Sequence, residues 1–111
     1  LYGTQGADGQ PQTLATVLTR VLDYGLAPAD ALSSPRFLLG RTFSDSRDSL
    51  KLEADIDPAI LNALRQRGHE IATIPARSAL AGQAGLIAID ADGQMTGAHD
   101  PRSDGIALAL D

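Results

Sequence analysis

Gly3-Thr4-Gln5-Gly6-Ala7-Asp8-Gly9-Gln10-Pro11-Gln12 lies between a short apolar start, Leu1-Tyr2, and the most regular helical pattern in the chain. Strand end, glycine-rich turn and helix start follow one another here. That order predicts an α/β arrangement in which backbone N–H groups at the head of a helix can face a negative charge. Two readings of the turn stand at this point: an anion- or oxyanion-binding loop built on the Gly6 and Ala7 amides, or a plain flexible connection. The spacing is neither G-x-G-x-x-G nor a Walker loop, and no Lys-Ser/Thr follows, so a nucleotide site is not indicated.

Outward from this stretch, Pro11 suits a first helical turn, where its missing N–H is harmless. Leu14, Val17, Leu18, Val21 and Leu22 recur at helical spacing, and Gly25 suits a C-terminal cap. They predict a helix from Pro11 to Tyr24. Pro28 restarts a short helix over Ala29 to Ser33, which Pro35 stops. Arg36 to Leu39 reads as a short extended segment, and Gly40 to Asp48 as a polar surface loop. Ser49-Leu50-Lys51-Leu52-Glu53 alternates like a half-buried strand. Asp57-Pro58 opens a second long helix with Ile60, Leu61 and Leu64 as its apolar stripe. Arg65 and Arg67 complement its last turn and Gly68 caps it.

His69 to Ile74 reads as extended and Pro75 to Gln83 as loop. Gly85 to Asp90 is an apolar strand, and Ala91-Asp92-Gly93-Gln94 a turn with a hairpin dipeptide. Met95 to Ala98 is its partner strand. Asp100-Pro101-Arg102-Ser103-Asp104-Gly105 forms a second turn, and Ile106 to Leu110 a last strand. The class is α/β (α+β), with a mixed or mostly antiparallel sheet and the two long helices on one face, all within one domain over 1–111. The other face of Gly85 to Asp90 is also apolar, so more chain or a second copy in a homodimer should cover it.

Composition narrows the function. The 111 residues are 43% hydrophobic, 21% charged and only 4% aromatic, which calls for an aliphatic core. The net charge of −5, with no cluster of basic residues, argues against nucleic acid as a partner. Without cysteine there is no disulfide, thiol nucleophile or zinc–thiolate site. No apolar run reaches the roughly 18–20 residues of a membrane span. The segment carries no signal peptide and marks no compartment, cytoplasmic or periplasmic. Starting at Leu1 inside a strand, it suggests a processed or excised piece of something longer.

Outside the loop, no complete catalytic set is visible. His69 and His99, the only histidines, read as surface or turn residues, with no His-x-x-x-His pair for a metal. Asp100 and Asp104 read as turn caps with Arg102 paired to one of them. Arg36 reads as a structural ion pair. Ser33, Ser34 and the serines from Ser44 to Ser49 show no histidine or lysine partner that would activate them as nucleophiles.

Three stretches taken in order change this picture. They are Gly3 to Gln12; Asp23-Tyr24-Gly25 with Ala31-Leu32 and Pro35-Arg36; and Asp100 to Gly105. Leu52-Glu53 and Arg67-Gly68-His69 fall between them. From Gly3 to Leu108 the chain resembles the C-terminal part of the small subunit of the γ-glutamyltranspeptidase family. Its Asp-Gly-Gln-Pro-Gln form is closer to the acylases and amidohydrolases than to the glutathione-cleaving members.

The resemblance implies part of an N-terminal nucleophile hydrolase, an αββα sandwich. In that family the precursor cleaves itself. The freed N-terminal Thr attacks a γ-glutamyl or related amide and passes the acyl group to water or another amine, without a cofactor or metal. It also implies that Gly6 and Ala7 stand where two adjacent glycines form the family's oxyanion hole. Two departures follow. Ala7 replaces the second glycine, so that a positive φ there would be strained. The Thr nucleophile, the substrate-binding acids and the large subunit belong to chain outside this segment, so the segment alone should be inactive. The alternative is a catalytically inert module that self-associates through its open sheet face or binds an anion at the loop.

Overall fold

A computed structural model describes residues 1–40 and 48–110. In chain order it contains β1 (Tyr2–Gln5), a 3-10 turn (Ala7–Gly9), α1 (Gln10–Leu22), α2 (Pro28–Ser33), β2 (Phe37–Leu39) and β3 (Leu50–Glu53). Then follow α3 (Pro58–Gln66), β4 (Ile71–Ile74), a second 3-10 turn (Ala79–Ala81), β5 (Gln83–Ile89) and β6 (Met95–His99). The polar loop expected over Gly40 to Asp48 falls mostly on 41–47, outside the described residues.

The strands divide into two three-stranded sheets, where the residue patterns gathered them into one and the family resemblance implied two β layers. The first runs β1-β5-β6 and is antiparallel throughout. In the second, β2-β3-β4, β2 pairs antiparallel with β3 while β3 and β4 are parallel. Parallel neighbours need a crossover, and α3 is that crossover. Its start is as expected: the Asp57 side chain accepts from Ala59 N at 2.8 Å. α3 fully buries no residue, however: Ile60 is 51% exposed and Leu61 and Leu64 are half-buried, so its apolar stripe is only partly covered.

The main core is aliphatic. Val17 of α1 and Ala31 and Leu32 of α2 pack with Ala84 and Leu86 of β5, edged by Tyr2, Val21, Leu26 and Ala98. The buried face of α1 differs from the expected stripe. Leu14 and Leu22 are exposed, while Thr13 is buried beside Val17. α1 meets the Ala81 carbonyl at this end, and the Thr13 hydroxyl is a donor that can reach it. Thr13 Oγ1 lies 3.2 Å from both Gly9 O and Ala81 O. One residue earlier, the Gln12 amide bonds both Leu39 N and Leu39 O at 2.8 Å, tying α1 to the edge of β2.

Two further expectations change. Ile106 to Leu110 pairs with no strand among the described residues. Apolar alternation makes a strand only where an edge receives it, and these side chains stay largely in solvent. In β3, alternation placed Lys51 and Glu53 on a wet face, yet all four residues are buried. β3 is the central strand of its sheet, covered on both sides, and period-two reading assumes that one side is open.

Candidate functional site

β1 leaves its ladder with β5 at Gln5, opposite Gln83, and the chain turns at once. Gly6 adopts φ 149° and ψ 22°, Ala7 adopts φ 46°, and Gly9 N donates back to Gly6 O at 2.8 Å. Gly6 is the cap of the 3-10 turn and Ala7 its first residue, so neither N–H has a carbonyl of the turn to bond. Two adjacent donors are thereby presented where β1 meets the helical run. The left-handed φ at Ala7 is the strained conformation that the substitution of glycine threatened, at a cost of ~1–2 kcal/mol. Ala7→Gly relieves that strain but loosens the unfolded chain by ~0.5–1 kcal/mol, so a net gain of ~0–1.5 kcal/mol is expected. A urea midpoint that falls instead would contradict the strain.

Open clefts flank the turn. One, of about 620 Å³, is lined by Tyr2, Gly3, Thr4, Ala7 and Leu14 among others. The second, of about 410 Å³, runs between Gln5-Gly6-Ala7 and Ser78-Ala79-Leu80 with Gln83. Ala7 borders both.

Behind the turn lies a buried network of four charges. Arg36, Glu53, Asp100 and Arg102 are 1%, 0%, 1% and 6% exposed. Arg102 meets Glu53 through Nε at 2.8 Å and through Nη2, and Asp100 Oδ1 through Nη1 at 3.0 Å. Arg36 Nη1 meets Asp100 Oδ2 at 2.6 Å. Two cations balance two anions, which is the condition for burying charge without a heavy penalty. Backbone groups take up most of the remaining valences, and Arg36 Nε is left buried without a hydrogen-bond partner. Glu53 accepts from Arg36 N and Ser78 N, Asp100 from Ala84 N and Arg102 N, and Leu32 O and Ser34 O receive the guanidinium of Arg102.

Glu53 ends β3, whereas Asp100 and Arg102 follow β6, so the network joins the two sheets. The two arginines differ electrostatically. Burial lowers the pKa of Arg36, and the neighbouring Arg102 adds to this, against the pull of Asp100. Burial also opposes charge on Arg102, but its bonds to Glu53 and Asp100 outweigh it and raise the pKa.

The structural ion pair expected for Arg36 is present, and Arg102 pairs with Asp100 as expected. Asp104 is not part of the network: it is exposed, and the turn closes through Asp100 alone. Glu53 was read only as a strand residue. Nothing in the sequence singles it out, because Lys51 and Glu53 alternate with Leu50 and Leu52 as they would on a solvated face. His69 is exposed. His99 Nδ1 lies 3.3 Å from Ser103 Oγ on the surface, and the hydroxyls of Ser33 and Ser34 donate to the Asp30 carbonyl. Among the described residues, no cluster of three or more His, Cys, Asp or Glu is placed to hold a metal.

Fold and turn define an N-terminal nucleophile hydrolase architecture, and solved structures agree. Over 99% of its length the chain superimposes on cephalosporin acylase from Bacillus halodurans with a TM-score of 0.86 at 30% identity, covering 20% of that chain. The family model described as Gamma-glutamyltranspeptidase matches residues 1–110, and the chain belongs to that family. It is 45% identical over 107 residues to the oxamate amidohydrolase proenzyme of Klebsiella pneumoniae, covering 96% of this chain and 20% of that protein. It is 40% identical over 110 residues to the glutathione hydrolase-like YwrD proenzyme of Bacillus subtilis, covering 99% of this chain and 21% of that protein. The chain thus spans about a fifth of the length of these relatives.

Proposed function

We infer that this chain is the C-terminal segment of a γ-glutamyltranspeptidase-like amide hydrolase or acyltransferase, and that it supplies the oxyanion loop while the Thr nucleophile comes from chain upstream. The observation that carries this reading is the paired, unspent N–H groups of Gly6 and Ala7 at the mouth of the clefts. As the upstream Thr adds to the amide carbonyl, charge develops on the carbonyl oxygen. Two fixed donors stabilise that charge more than they stabilise the ground-state carbonyl. Collapse expels the amine and leaves an acyl-enzyme, and water or a second amine then takes the acyl group. Family membership and the two proenzyme relatives favour an amide as the substrate.

The test is the precursor, expressed with the reading frame upstream of this chain. It is expected to split itself in two and to turn over an amide probe, γ-glutamyl-p-nitroanilide or oxamate. A folded precursor that does neither would contradict the reading.

A further inference from the structure

We propose that Gly82, with Thr13, is a positioning residue that sets the plane of the Gln5–Gly6 peptide and so aims the Gly6 N–H. The proposal rests on the oxyanion reading of the loop. Gly82 caps the second 3-10 turn at φ 83°, and its N–H donates to Ala79 O at 3.1 Å. A Cβ at Gly82 would stand 3.1 Å from Gln5 O and 2.7 Å from Thr13 Oγ1. From the other side, a Cβ at Gly6 would stand 3.2 Å from the Gly82 Cα. The two glycine backbones therefore lie against each other with no room for a side chain between them.

Gln5 C=O and Gly6 N–H belong to one planar peptide unit. Whatever pushes the Gln5 oxygen also rotates the Gly6 donor. The corner at Gly82 is itself held from two directions. Arg36 Nη1 donates to Gly82 O at 3.1 Å, and Thr13 Oγ1 lies 3.2 Å from Ala81 O. The charged network and the start of α1 thus converge on the backbone that supports the donor peptide.

Gly82→Ala in the self-processed, full-length enzyme is expected to lower kcat about 10- to 100-fold, the scale of a misplaced catalytic group, with KM changed less than about twofold. Thr13→Ala is then added to remove the nearer clash. If the push on Gln5 O is the cause, the double variant keeps the low kcat. If kcat returns, the loss came from packing against Thr13 and the proposal is overturned, as it is if Gly82→Ala alone leaves kcat unchanged. Should Gly82→Ala yield no folded enzyme, Thr13→Val carries the test. It is close in shape but frees the Ala81 carbonyl. A several-fold lower kcat at unchanged KM supports the proposal, and an unchanged kcat overturns it.

Replacing Ala7 by lactate, which turns the Gly6–Ala7 amide into an ester and removes the N–H while keeping the methyl group, separates the two readings. A kcat loss there together with an unaffected Gly82→Ala enzyme overturns the positioning role and leaves the oxyanion loop standing. No loss there overturns both.

Discussion

Arg102→Met is expected to cost the folded protein about 3–5 kcal/mol, the usual penalty for taking one partner out of a buried ion network. Arg102 spans both carboxylates, bonding Glu53 through two nitrogens and Asp100 through a third. Methionine fills much of the volume, so a cavity is not the main loss. The loss is electrostatic: Glu53 and Asp100 remain buried with only Arg36 to balance them, while Leu32 O and Ser34 O each lose one of two donors and keep Arg36 and Arg20 respectively. Set against the 5–15 kcal/mol typical of a domain, this is a large share of the total. Because the network joins the two sheets, the whole structure should weaken cooperatively, with a lower urea midpoint and an unchanged slope. A shift worth less than about 1 kcal/mol would mean that the network is not what holds the sheets together.

Lactate in place of Ala7 should lower kcat by about 100- to 1000-fold, or roughly 3–4 kcal/mol, as removal of one oxyanion donor does elsewhere. The substitution keeps the methyl group and removes the N–H. A change to proline would be a poor substitute, because its ring holds φ near −65° while this turn needs 46° at position 7. The ester also makes the Gly6 carbonyl a weaker acceptor for the Gly9 N–H, a bond of 2.8 Å. That side effect belongs to stability and is read from the melting curve, apart from kcat. An unchanged KM with a reduced kcat is the signature of a donor used in the transition state alone. A wild-type kcat would place the oxyanion elsewhere.

Much of this was legible in the residues. Asp57-Pro58 with Gly68 marked the ends of α3 because capping chemistry is local. The glycine-rich stretch after β1 marked the turn for the same reason. Faces were harder. Thr13, not Leu14, points inward because α1 meets the carbonyl of Ala81, which no pattern within the helix encodes. Glu53 looked solvated because alternation has no knowledge of the two layers that enclose β3. Ile106 to Leu110 had strand composition but received no partner. The contact between Gly6 and Gly82 joins segments remote in sequence, and only the fold brings them together. What could not be read, in each case, was a long-range partner.

The most direct test of the oxyanion loop is the structure of the processed enzyme with a boronic acid on its nucleophile. The tetrahedral boronate imitates the intermediate, oxygen included. One boronate oxygen should lie about 2.7–3.1 Å from both Gly6 N and Ala7 N. An oxygen held by other donors, with these two amides turned away, would contradict the account.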